Sequence, residues 1–378
     1  MRILHFYKTS LPASMGGVEQ CIHQLASGLA RRGNHVDVLA LATSGAVRET
    51  RQMNGYLVHQ ARLDFEIASN GFSRAVVRRF TELSRHADLI HYHYPWPFMD
   101  LVHFMVRPSA PTVVTYHADI VRQRSLLQLY KPLRNRFLAS VDGLVATSPA
   151  YASSSPVLRR FQGKTRVIPI GMDPLTLPVA SAALTDDWRR RVGPTFFLFV
   201  GVLRYYKGLH TLLEACRGTG MPVVIAGTGP LERELRRRIG QPGLESVHLV
   251  GYVSDDDKAA LLAACRAVVL PSHLRSEAFG VTLLESSMSG VPMVTCEIGT
   301  GTSYVNLDGV TGRVVPPGDA DALRGAMREL WEHPDLAARM GRCARERYGE
   351  FFTAERMVED HLSLYADVRA GAGDNRND

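Results

Sequence analysis

The chain has 378 residues, 46% hydrophobic and 21% charged, which excludes a disordered or fibrous protein and suits two globular domains. Cys21, Cys216, Cys265, Cys296 and Cys343 lack metal-ligand or redox spacing, and neither a membrane-length apolar run nor a signal-peptide core is present, so a reduced cytosol is expected. The net charge of +7 divides into +11 over residues 1–170 and −4 over 171–378, so any anionic partner is expected to meet the first half.

In chain order, residues 2–7 read as a strand and residues 18–32 as a helix stopped by Gly33. Gly16 and Gly17 precede that helix, where bare backbone can approach a bulky anion; no G-x-G-x-x-G is present, so the nicotinamide fingerprint is absent. Strand His35–Leu41, a hairpin-like pair around 56–62 and a basic helix over 72–86 follow. Strand Asp88–Tyr94 ends at Pro95-Trp96-Pro97. Strand 111–117 (PTVVTYH) carries His117 at its carboxyl end, with Asp119 placed to support its protonation or position. Residues 120–140 interleave Arg122, Arg124, Lys131, Arg134 and Arg136 with leucines and Phe137. That composition suits a basic interfacial helix and equally an amphipathic helix packed on its own sheet; Pro132 is expected to kink it. Strands over 142–148 and 166–171 close a first domain, and the turn-rich tract 172–187 reads as a linker.

The alternation then restarts. Strand Thr195–Leu203 leads into RYYKG, whose Arg204 and Lys207 at the mouth of a helix suit a diphosphate. PVVIAGTGP and a charged helix follow, then a strand, loop and helix containing Val253, Asp255 and Lys258; Asp255 at a helix start is equally a cap. Strand Ala267–Leu270 stops at Pro271-Ser272, and from Val281 apolar residues recur with helical period up to Gly290. Glu277 and Glu285 bracket that turn, and the N–H groups of Phe279, Gly280 and Val281 form an anion site at the helix start. Flanking carboxylates can accept from sugar hydroxyls. Strand–helix alternation therefore runs twice, predicting two doubly wound α/β domains over 1–172 and 193–352, with a linker over 173–192, a helix over 353–370 and a disordered tail over 371–378.

The string SEAFGVTLLE resembles the Glu-x7-Glu motif of retaining glycosyltransferases of family 4. The likeness covers nearly the whole chain and is strongest in its second half. It implies the GT-B fold, two Rossmann-like domains facing a central cleft with the last helix crossing back to the first domain. By resemblance, Glu277 binds donor-sugar hydroxyls, Glu285 the ribose, and the loop amides, Ala278 included, the donor. Gly16 and Gly17 match the glycine-rich first loop and His117 the catalytic-site histidine that contacts the transferring sugar. Within Gly201–Gly208, Lys207 matches outright, whereas Val202 stands where the family has arginine and Arg204 lies two residues later, on the same face of an extended segment. Val253, Asp255 and Lys258 match the Val-x-Asp-x-x-Lys of guanosine-using members.

IGTGTSYVN resembles the donor-side loop of bacterial mannosyl- and rhamnosyltransferases of lipopolysaccharide (A-band, O-antigen) assembly. The expectation is a retaining, metal-independent hexosyltransferase with catalytic His117, Glu277 and Lys207. It would move D-mannose or D-rhamnose from a GDP-sugar, with no cofactor, to a lipid-linked saccharide. The enzyme would sit peripherally on anionic lipid at the cytoplasmic face of the inner membrane. No Asp-x-Asp stands where a metal would be needed. A sugar-nucleotide epimerase of the same fold, or a basic nucleic-acid-binding protein, are the alternatives; the first lacks its catalytic groups and the second its aromatic-basic motifs.

Overall fold

The computed structural model describes residues 1–14, 16–42, 49–67, 70–120 and 124–374. The chain forms two compact units, one of residues 1–172 with 354–378 and one of residues 173–353.

The first unit runs β1 (Arg2–Phe6), α1 (Gly17–Arg31), β2 (His35–Leu41), β3 (Glu49–Met53) and β4 (Tyr56–Ala61). It continues with β5 (Phe65–Ile67), β6 (Asn70–Phe72), α2 (Arg74–Ser84), β7 (Leu89–Tyr94), α3 (Pro97–Val106) and β8 (Thr112–Tyr116). Then come α4 (Arg124–Ser140), β9 (Gly143–Ala146), α5 (Pro149–Ser154), α6 (Pro156–Arg160) and β10 (Thr165–Val167). Eight strands form one sheet in the order β10-β9-β8-β7-β1-β2-β4-β3, parallel except for the β3–β4 hairpin. Its central strands are buried on both faces, as parallel sheets require. One face packs Phe6, Tyr92, Tyr94, Tyr116 and Trp96 into an aromatic core with Phe80 and Phe137.

The second unit runs α7 (Ala182–Val192), β11 (Phe197–Val200), α8 (Leu209–Cys216), β12 (Val223–Ala226), α9 (Glu232–Ile239) and β13 (Val247–Gly251). It continues with α10 (Asp255–Ala264), β14 (Ala267–Leu270), α11 (Val281–Met288), β15 (Met293–Cys296), α12 (Thr302–Val305), β16 (Gly312–Val315), α13 (Ala320–Glu332) and α14 (Pro334–Phe351). Its all-parallel sheet has the order β13-β12-β11-β14-β15-β16. That is the doubly wound order whose switch point, between β11 and β14, is where such sheets bind ligands.

Two expectations are corrected, the linker and the tail, while the last helix returns to the first unit as expected. The stretch 173–192 is not a plain linker: Ser181 caps α7, and Trp188 and Val192 are buried in the second unit's core. The run of prolines before it hides a helix whose apolar face is only three residues wide. The final helix α15 (Ala354–Asp374) packs on α1 within the first unit; a side chain on Gly28 would place a Cβ 2.4 Å from Val358 Cγ2, so that glycine admits the helix. Residues 371–374, expected to be disordered, continue α15, while 375–378 lie outside the described residues.

Candidate functional site

In the second unit the site grows from the carboxyl ends of β11 and β14. The backbone leaving β11 turns through Gly201 and Gly208, both at positive φ. A Cβ on Gly208 would sit 1.9 Å from Pro271 O, so this loop can touch the β14 loop only with glycine there. The close approach puts Lys207 against Glu277: Nζ donates to Oε2, which also accepts from Ser272 Oγ at 3.1 Å. Both are buried, Lys207 9% and Glu277 7% exposed. Burial pulls the Lys207 pKa down, but the Glu277 carboxylate outweighs it and holds the ammonium above its ordinary value. Arg204 is exposed at the head of the same turn, close enough to oppose that charge.

The loop from β14 to α11 is held from behind. Thr300 Oγ1 donates to Glu277 O at 2.8 Å, Gly301 N to Ala278 O at 2.7 Å, and Arg275 Nη1 to Gly299 O at 2.8 Å. Phe279 is buried edge-on against Phe352, and a Cβ on Gly301 would sit 2.5 Å from its ring. Gly280, at φ 83°, precedes Val281, and no side chain caps the helix. The first-turn N–H groups of α11 therefore keep the anion-binding character expected of them. The loop read as donor-side, 298–306, buttresses this motif.

One turn into α11, Glu285 accepts from Lys258 Nζ at 2.7 Å, and the same ammonium lies 2.9 Å from Asp255 Oδ1. Burial raises the Glu285 pKa, with Lys258 pulling against it; Lys258 is held above its ordinary value because Glu285 and Asp255 outweigh its own burial. The two sequence motifs thus meet at one cation. Asp255 does not cap α10; Ser254 does, accepting from Asp257 N at 3.0 Å. Val253 packs at the edge of the core. Sequence reasoning missed Ser272 and Thr300, whose signal was only a hydroxyl beside a motif.

In the first unit, Gly16 is the cap residue and Gly17 the first residue of α1. Glu19 does not cap the helix: it accepts from Thr9 Oγ1 at 2.7 Å and Ser14 Oγ at 2.9 Å, tying down the loop after β1. A Cβ on Gly16 would sit 2.4 Å from Glu19 Oε2, so a side chain there would have to displace that carboxylate. His117 follows β8 and is 3% exposed. Its Nε2 lies 2.9 Å from His93 Nδ1. Asp119, expected to support it, instead accepts from Tyr116 OH at 3.0 Å and Ser155 Oγ at 3.1 Å. Burial, reinforced by His361, lowers the His117 pKa to about 3, so the ring is neutral near pH 7.

Helix α4 packs inward through Phe137 and Leu138 while Leu129 is 82% exposed; Arg122 lies outside the described residues. Among the described residues no helix is long and apolar enough to cross a membrane.

Residues 15–174 match the family model "Glycosyltransferase Family 4" and residues 182–347 "Glycosyl transferases group 1". The chain is 54% identical to D-rhamnosyltransferase WbpZ of Pseudomonas aeruginosa over 94% of this chain and 93% of that one. It is 48% identical to the O-antigen chain mannosyltransferase C of Escherichia coli, over 97% and 98%. Among solved structures, sucrose-phosphate synthase from Thermosynechococcus elongatus superposes with a TM-score of 0.82 at 22% identity, covering 98% of this chain and 99% of that one. Anabaena HepE in complex with UDP gives 0.76 at 21%, covering 97% and 100%. With whole-length relatives this similar and a family match on each half, the chain belongs to the family 4 glycosyltransferases and is a glycosyltransferase of the GT-B fold.

Proposed function

We propose that this enzyme is a retaining hexosyltransferase of surface-polysaccharide synthesis, moving D-mannose or D-rhamnose from a GDP-sugar to a lipid-linked saccharide. The observation that carries the reading is two ion pairs, the buried Lys207–Glu277 and the partly buried Lys258–Glu285, on either side of the uncapped start of α11. One end offers cations and N–H groups to a diphosphate and the other a carboxylate to a ribose, with Glu277 placed for sugar hydroxyls. The names of the two relatives described above support the sugar and the pathway class. Asp255 and Lys258 support guanine, the carboxylate accepting from its amino edge. Ala278 to Val281, Gly16 and Gly17 complete the donor contacts.

Lys207, Arg204 and the helix start stabilise the departing diphosphate, so the reaction is proposed to need no metal and no cofactor. His117, neutral, contacts the transferring sugar. Among the described residues no second carboxylate is identified as a nucleophile, and retention is proposed to proceed by attack on the face the diphosphate leaves, the diphosphate accepting the acceptor's proton. Peripheral docking on anionic lipid is supported by the exposed Leu101 and Met105 of α3 and Leu129 of α4, and by Lys131, Arg134 and Arg136 along α4. Nucleic acid is not a proposed partner, and the epimerase reading draws no support from the two relatives described above, both transferases by name.

The test is turnover of the purified chain with GDP-mannose, GDP-D-rhamnose, UDP- and dTDP-sugars on a lipid-linked saccharide, with the product's anomeric configuration read by NMR. Release of GDP with an α-linked product is expected; turnover only with uridine or thymidine donors, or an inverted product, overturns the reading.

A further inference from the structure

The second face of the first unit's sheet is unlike the aromatic one. Side chains alternate along a strand, so His91 and His93 share a face of β7 while Ile90, Tyr92 and Tyr94 take the other. Register sets His5 of β1 beside His91, and Thr115 of β8 beside His93, with His117 two residues on. From above, α15 lays down His361 and Tyr365, one turn apart. The rings pack closely: 4.5 Å between the His91 and His93 centroids, 5.0 Å from His5 to His91, 5.4 Å from His91 to His361. All five imidazoles are at most 3% exposed.

Their hydrogen bonds do not close. His117 Nε2 meets His93 Nδ1 at 2.9 Å and His93 Nε2 meets His5 Nδ1 at 3.0 Å, but His5 Nε2 is buried without a partner. His361 Nδ1 lies 2.8 Å from Met357 O. A carbonyl only accepts, so Nδ1 carries the proton and the lone pair lies on Nε2, which is also buried and unpartnered. A backbone carbonyl fixing one ring nitrogen as donor and freeing the other is how metal-binding histidines are commonly oriented. His91 is held on both sides, Nδ1 by Tyr365 OH at 2.6 Å and Nε2 by Thr115 Oγ1 at 2.7 Å.

One ring nitrogen from each of His5, His91 and His93 lies within 4.8 Å of the other two. Two nitrogens bound to one tetrahedral zinc stand roughly 3.3 Å apart, given bonds of about 2.0–2.1 Å, close to the His5–His93 spacing of 3.0 Å. We propose that His5, His91 and His93 bind a transition-metal ion of the zinc, cobalt or copper class, with the His361 ring of α15 packed beside His91. An all-imidazole set suits those ions and not magnesium or calcium, which take oxygen ligands. The metal lies in the sheet face under α15, whose Tyr365 OH meets His91 Nδ1, so its role is to fasten that helix to the strands.

The test uses the full chain without a histidine tag, dialysed against chelator and titrated with Zn2+ and with Co2+. One equivalent is expected to bind, giving visible d–d bands with Co2+, a higher Tm, and at least tenfold slower hydrogen exchange in α15. His5→Gln and His93→Gln should each weaken binding at least tenfold, and His35→Gln, outside the cluster, should not. No stoichiometric uptake by the parent chain overturns the proposal, as does binding that survives in the cluster variants or disappears in His35→Gln. Should the cluster variants fail to fold, the histidine ring 15N resonances of the parent decide: metal must shift those of the buried rings, and unchanged resonances overturn the site.

Discussion

Lys258 Nζ lies 2.7 Å from Glu285 Oε1, so one ammonium joins the first turn of α10 to that of α11. A ribose-binding carboxylate held by a lysine is oriented before the donor arrives, and losing either charge affects both helices. Glu285→Gln and Glu277→Gln are each expected to lower kcat/KM about tenfold to a hundredfold, the worth of one charged hydrogen bond at roughly 1.5–3 kcal/mol. Steady-state kinetics with the GDP-sugar checks this; unaltered turnover in Glu277→Gln removes it from the site.

Lys207→Met tests stability as well as chemistry. It leaves Glu277 buried with Ser272 but without its cation, and breaking a buried pair from one side costs roughly 3–5 kcal/mol. The midpoint of urea unfolding should fall markedly. The double variant Lys207→Met/Glu277→Leu should recover much of that stability while staying inactive.

Chelation separates the two roles a metal could have. With cations and helix termini facing the diphosphate, EDTA is expected to leave transfer intact in short assays well below Tm. A strict Mg2+ or Mn2+ requirement would refute the role given to Lys207.

Acid should weaken the first unit. Burial lowers the pKa of His5 to about 3, of His117 to about 3 and of His361 to about 4, from 6.5. The unfolded chain therefore takes up protons that the native state refuses, and stability falls as pH drops below 6.5, levelling off near 3–4. By pH 5 each such histidine costs about 2 kcal/mol. Tm measured between pH 8 and pH 4 should drop steeply, and less steeply in His361→Leu; a flat profile contradicts the buried cluster.

Membrane docking is expected to require anionic lipid and to weaken with salt. Each basic residue near such a surface contributes roughly 1 kcal/mol. Vesicle co-sedimentation should fall when Lys131, Arg134 and Arg136 are changed to Gln and Leu129 to Ser. If that variant sediments as the parent does, α4 is not the anchor and the +11 of residues 1–170 needs another account.

Much of this was legible in the residues. Short apolar β-rich runs marked β8, β11 and β14, the last stopped at Pro271, and the Glu277–Glu285 spacing marked the turn between strand and helix. What escaped depends on register or on distance along the chain. The Lys258–Glu285 bond spans 27 residues and joins two motifs that read as independent. The histidines come from β1, β7, the end of β8 and α15, and no spacing along the chain brings them together; only strand order and the side on which α15 lands do. Asp119 was misassigned because neighbours along a loop need not point the same way, and Tyr116 and Ser155 claim it.

Ala354 N donates to Met172 O at 3.0 Å, so the chain returns to the point it left after an excursion of 181 residues. The second unit is therefore an insertion hung from one junction. On the ribosome, at about 5–20 residues per second, the first 172 residues emerge roughly 10–40 s before α15 is made. Throughout that interval the strands that will carry it wait with their imidazoles uncovered, and the second unit, continuous in sequence, is free to fold ahead of the first.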